Sequence, residues 1–116
     1  MLDFLVRSPI VRLGIGWMFA HMSFALPVNR LKETKTLIAF HHPRPSYPLH
    51  ILLVPKRAVA DLSDLERVDG EFLAELFATV QDLVSELALD DVGYRLIVNG
   101  GPYQEVPQLH FHLVSG

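Results

Sequence analysis

The sequence predicts an α+β domain in which a mainly antiparallel sheet is covered by one long helix. Three segments carry that expectation. Phe72, Leu73, Leu76, Phe77, Val80, Leu83, Val84 and Leu87 recur at three- and four-residue intervals, the period of an amphipathic helix over Gly70 to Ala88 with a broad buried face. Tyr94, Leu96 and Val98 alternate through YRLIVN, placing them on one face of a strand. In QLHFHL, Leu109, Phe111 and Leu113 alternate with Gln108, His110 and His112, so one strand over Gln108 to Val114 would turn an apolar side to the helix and a polar side away from it.

The remaining elements follow in chain order. Ser8 and Pro9 form a helix start, with Ser8 as N-cap and Pro9 in the first turn, ahead of apolar residues that lie nearly all round the helix from Ile10 to Phe24. The apolar run Leu13 to Val28 is shorter than the roughly 20 residues of a spanning helix and contains His21 in mid-stretch. Asp3 and the lack of a small-residue cleavage pattern argue against a cleaved signal. The segment is therefore expected to pack on protein, with a membrane surface as the alternative. Pro27 stops this helix, and Asn29 to Lys35 reads as a polar connection before the main domain. TLIAFH, Thr36 to His41, is a short buried strand ended by His42 to Pro48, a rigid loop holding three prolines. His50 to Val54 is a second strand, closed by Pro55 and followed by Lys56 and Arg57. Asp90 to Gly93 reads as a turn, and Asn99 to Pro107 as the loop into the last strand.

Composition narrows the chemistry. A chain of 116 residues with 50% hydrophobic content suits one domain with its own core, preceded by an appendage. Ten basic against 13 acidic residues give a net charge of −3 with no long run of like charge, which disfavours an electrostatic nucleic-acid binder. The absence of cysteine removes disulfides, zinc ribbons and thiol nucleophiles. Catalysis would rest on histidine, carboxylates or hydroxyls.

An isolated His-x-His on a strand is by itself more often structural than catalytic. Its surroundings change that reading. LIAFHHPRPSYPLHILLVPKR, GYRLIVNGG and QLHFHL together resemble the histidine triad family, whose mark is His-φ-His-φ-His-φ-φ on the last core strand, most closely the branch of histidine triad nucleotide-binding proteins. The likeness extends over about 80 residues in matching order. It implies a sheet of about five strands, with residues 31–116 as the nucleotide-binding domain and residues 1–30 as an N-terminal apolar helical segment. A homodimer that meets through long helices and strand edges, and a cytoplasmic location, follow from the same resemblance.

For individual residues the resemblance implies the following. His110 is the nucleophile that attacks the α-phosphorus of a purine nucleotide or nucleotide conjugate, such as a phosphoramidate, to form a covalent nucleotidyl-histidine that water releases. His112 contacts the phosphate and helps the leaving group. His50 supports the nucleophile from the neighbouring strand, Asn99 and Gln104 lie around the phosphate, and Phe40 and Leu52 line the base pocket. Taken singly, His50 would more commonly be a satisfied buried histidine, Asn99 a turn residue and Phe40 plain core.

Several positions depart from the family pattern. Gln108 stands at the first triad histidine; its amide keeps hydrogen bonding but cannot carry a proton near pH 7. Glu105 replaces a serine near the leaving group and sets a negative charge near the phosphate. His42 stands where relatives have an aspartate that holds the ribose hydroxyls, and Pro102 and Pro107 remove two N–H donors from the loop. These changes allow a slow hydrolase, a hydrolase of altered substrate, or a nucleotide-binding module without turnover. A zinc site built from His41, His42, His50, His110 and His112 is the third alternative. Only Glu105 is at hand to orient those rings, and the family chemistry needs no ion, so neither a metal nor another cofactor is expected.

Overall fold

The computed structural model describes residues 30–116. The N-terminal helix expected from Ser8 and Pro9 onward lies outside the described residues. The described chain forms five strands in one antiparallel sheet: β1 (Arg30–Glu33), β2 (Leu37–His41), β3 (Leu49–Pro55), β4 (Arg95–Val98) and β5 (Phe111–Ser115), in spatial order β1-β2-β3-β5-β4. One 17-residue helix, α1 (Gly70–Glu86), covers one face, and a short helix, α2 (Leu89–Val92), follows it.

Alternation along the strands sorts their side chains. Leu37, Ala39, Ile51, Leu53, Phe111 and Leu113 point to the α1 face and join Phe72, Leu76, Val80, Leu83 and Val84 in the main core. The opposite face carries a smaller apolar cluster of Ile38, Phe40, Leu52 and Val54. Strand register then sets the cross-sheet neighbours. His50 pairs with Val114 and Leu52 with His112 across β3 and β5, while Arg95 pairs with Val114 and Ile97 with His112 across β4 and β5.

Side chains fix the helix against the sheet. Glu75 of α1 accepts from Thr34 Oγ1 at 2.6 Å, from the Thr36 main-chain N–H at 3.1 Å and from the Thr36 hydroxyl, which pins the β1–β2 turn under the helix. Arg57 grips Asp69 through two hydrogen bonds, Nε–Oδ1 at 2.8 Å and a second nitrogen to Oδ2 at 2.6 Å. Asp69 is buried and also accepts from the Glu66 N–H at 2.9 Å, so the start of α1 is locked to the segment after β3.

Four sequence readings are corrected here. The polar connection Asn29 to Lys35 contains β1, an edge strand whose RLKE sequence lacks an apolar period because only one of its edges meets the sheet. The turn at Asp90 to Gly93 is the helical turn α2, entered through Ala88 in the left-handed conformation (φ 52°). On α1, Phe77 and Leu87 are exposed, since the core-facing stripe is narrower than the apolar stripe of the sequence. Tyr94 does not share the inner face of Leu96 and Val98; Gly93, at φ 91°, turns the chain just before it, β4 begins at Arg95, and Tyr94 is left exposed.

Candidate active site

The last strand is shorter than its sequence pattern. Phe111 opens β5, so Gln108 and His110 belong to the approach to the strand, where the loop is tied down by a hydrogen bond from the Leu109 N–H to the Val59 carbonyl at 2.7 Å. The row of Gln108, His110 and His112 is therefore broken. His110 and His112 line a cavity of about 400 Å³, whereas the Gln108 side chain is buried away from it, its amide nitrogen 3.4 Å from the Leu109 carbonyl.

His42, His50, Asn99 and Glu105 line the same cavity, so residues from four separate stretches of sequence converge there. Phe40 and Leu52 sit on the same sheet face but within the small apolar cluster, outside the walls of the cavity. Gln104 also stays out of it. Its amide donates to the main-chain oxygens of Ala60 at 2.7 Å and Val106 at 3.0 Å and so braces the loop. The cavity gains two aromatic walls that the sequence did not single out, Tyr47 and Tyr103. Tyr47 lies edge-on to the His50 ring, with centroids 5.5 Å apart; its position three residues before His50 in a proline-rich loop is the signal that was available.

The imidazoles form a continuous column. Ring centroids are 4.4 Å apart for His42 and His50, 5.1 Å for His50 and His112, and 4.9 Å for His112 and His110. Main-chain groups at the ends of this column assign its protons. The Ser46 N–H can only donate, and it meets His50 Nδ1 at 3.1 Å, so neutral His50 holds its proton on Nε2. That nitrogen donates to His112 Nδ1 at 2.8 Å, which leaves the His112 proton on Nε2. Among the described residues the buried His112 Nε2 has no hydrogen-bond partner, so it presents a donor with its capacity unspent. On the other side the Gln108 carbonyl can only accept, and it lies 2.7 Å from His110 Nδ1. In the neutral ring of His110 the lone pair is then on Nε2. His42 Nδ1 accepts from the Arg44 N–H at 2.9 Å, which leaves an N–H on its Nε2.

Burial is the main influence on the charge of the column. It lowers the His112 pKa to about 4, helped by the nearby charges of His110, His50 and His42. Burial also lowers His42, with His110 as the second cause, and lowers His50, with His42 as the second cause. These three rings are therefore neutral donors at pH 7. Among the described residues no lysine or arginine lines this cavity, and Glu105 is the one carboxylate in its walls. Among the described residues no group of three or more His, Asp or Glu side chains is arranged to hold a metal ion.

A single small antiparallel sheet with a long helix on one face and a histidine column on the other is the class of fold that these elements define. The chain belongs to the HIT family, whose HIT domain model matches residues 24–116. It is 34% identical over 94 residues to an uncharacterized HIT-like protein of Rickettsia prowazekii, covering 78% of each chain. Among solved structures, it superposes on a HIT family hydrolase from Legionella pneumophila with a TM-score of 0.77 at 32% identity, covering 85% of this chain and 91% of that one. A histidine triad nucleotide-binding protein from Candida albicans gives a TM-score of 0.74 at 27% identity, with coverage of 84% and 73%.

Proposed function

We propose that this protein is a nucleotidyl hydrolase or transferase that attacks the α-phosphorus of a purine nucleotide conjugate, such as a phosphoramidate, through His110. The observation that carries the reading is the contact between His110 Nδ1 and the Gln108 carbonyl, which directs the Nε2 lone pair to the ligand in a cavity shared with the unspent N–H of His112. The description of the Legionella relative as a hydrolase and of the Candida relative as nucleotide-binding supports both halves of the proposal.

In the first step the His110 Nε2–P bond forms and the bond from phosphorus to the leaving group breaks, the electron pair departing with the leaving group, which is protonated from solvent. The His112 N–H donates to a phosphoryl oxygen as charge builds there, and because the ring resists protonation it acts as a fixed hydrogen-bond donor. In the second step water attacks phosphorus, the N–P bond breaks back to the Nε2 lone pair, and the water proton passes to solvent. Gln108, in the place of the family's first histidine, costs this scheme little, since His110 is held by the main chain of residue 108 and not by its side chain. Mass spectrometry of the protein incubated with a slowly released nucleoside phosphoramidate is expected to find the nucleotidyl adduct on His110, absent in His110→Ala. An unmodified His110 under conditions of turnover would overturn the mechanism.

A second reading, a nucleotide binder without turnover, is favoured by Glu105, whose carboxylate lines the cavity and opposes an anionic ligand. Saturable binding with no product in long incubations would select it.

The same proposal includes a homodimer. Among the described residues β4 pairs only with β5, so its outer edge offers unpaired main-chain groups, and Phe77 is 57% exposed on α1. Size measurement in solution is expected to give a dimer, and Phe77→Asp is expected to shift it toward monomer.

A further inference from the structure

A second cavity of about 340 Å³ adjoins the histidine cavity and shares Tyr47 and Val114 with it as walls. Tyr94 and Arg95 line it on the far side. The register explains why the two open together: Arg95 is paired with Val114, as Ile97 is with His112, so Arg95 lies on the histidine face, one same-face step of roughly 6.5 Å along β4 from the residue opposite His112. Among the described residues Arg95 is the only lysine or arginine that lines either cavity. Among the described residues its guanidinium enters no ion pair or hydrogen bond, whereas Arg30, Lys32, Lys56 and Arg57 elsewhere in the domain are all engaged with carboxylates.

Charge is also distributed along the combined groove. Glu105 comes from the loop that joins the end of β4 to the start of β5, while Arg95 lies at the opposite end of the same strand pair. An anionic substituent is thus repelled at one end and met at the other by a planar fork flanked by phenol rings, the geometry suited to a carboxylate or a phosphate.

We infer that the Tyr47–Tyr94–Arg95 cavity receives the far end of the leaving group, whose departing atom the family resemblance sets near Glu105, and that Arg95 selects leaving groups whose far end carries an anionic substituent. The inference rests on the reading of His110 as the attacking group. Arg95 is a specificity residue and takes no part in bond breaking.

The test uses matched nucleoside 5′-phosphoramidates whose departing amine carries a carboxylate, a phosphate monoester or a neutral methyl ester. Their turnover by the full-length protein is measured, together with their equilibrium binding, uncleaved, to His110→Ala. The charged members are expected to exceed the ester by about tenfold in kcat/KM and in affinity, with the difference lying in KM. Arg95→Gln is expected to erase that preference and leave the ester within about twofold of wild type, and Arg95→Glu to reverse it. Comparison of the carboxylate and phosphate arms identifies which anion the cavity prefers. Equal binding of charged and neutral members, or a preference that survives Arg95→Gln, overturns the inference. Failure of the catalytic reading looks different: no member is turned over and no adduct forms, while the binding comparison in His110→Ala still decides the role of Arg95.

Discussion

The two faces of the sheet are made by the same strands, yet one packs apolar side chains under α1 and the other carries a column of imidazoles beside a smaller apolar cluster. Leu53 and Leu113 point to α1 and are fully buried; their neighbours Leu52 and His112 point the other way. On the helix face, stability comes from shape and area, and no residue has a chemical assignment. On the histidine face, His42, His50 and His110 are oriented by main-chain donors or acceptors and His112 by His50, so that face trades apolar packing for oriented hydrogen bonds. The contrast teaches that the helix face should tolerate almost any volume-conserving change without loss of chemistry, whereas the histidine face should lose chemistry with little loss of fold.

The sharpest way to break that contrast is His110→Ala, expected to lower turnover roughly a thousandfold or more with an unchanged circular dichroism spectrum and melting temperature. An equal loss of stability would show that the two faces are not separable. Leu53→Ala on the helix face should do the reverse. Truncating a side chain with no solvent exposure is expected to cost about 3 kcal/mol in denaturant unfolding, while the folded fraction keeps its turnover.

Acid should act on the histidine face first. The folded-state pKa of His112, about 4, lies below the roughly 6.5 of an unfolded chain, so the unfolded state binds the additional proton between those values. Stability is therefore complete above about pH 6.5 and declines as the pH falls toward 4, by on the order of 2 kcal/mol after allowance for solvent screening of the half-buried ring, with His42 and His50 contributing in the same direction. Asp69, whose carboxyl Arg57 holds below the ordinary carboxylate range, adds its own loss only at still lower pH. Urea unfolding at stepped pH separates the two windows, and a flat profile from pH 7 to 4.5 would contradict the buried neutral column. The smallest effect is expected at His50. His50→Ala removes the donor to His112 Nδ1 and should reduce kcat about tenfold, and His50→Gln, which can still donate, should recover part of it.

Much of the fold was legible in the sequence because it rests on period. The helix over Gly70–Glu86 and the strands β3 and β4 follow from hydrophobic recurrence, and QLHFHL marked both the family and the end of the sheet that carries the site. β1 was not legible, since a four-residue edge strand of polar residues has no period to read, and it forms because the β1–β2 turn is held by Glu75, 39 residues away from Thr36. The exposure of Phe77 was equally hidden, because a helical stripe shows which residues are apolar but not how wide a contact the sheet offers.

The residue types of the site, His42, His50, Asn99, Glu105, His110 and His112, are written in the chain and define its chemistry as imidazole chemistry. Their proton positions are not. A histidine side chain is the same whichever nitrogen holds the proton, and only its neighbours choose. The Ser46 N–H and the Gln108 carbonyl make that choice here, and they act through main-chain atoms that any residue type at position 108, and any but proline at position 46, would supply. The feature most visible in the sequence, glutamine where a third histidine is expected, is for that reason a weak guide to the site. The tertiary structure buries the glutamine side chain and places the backbone of the same residue in charge of His110.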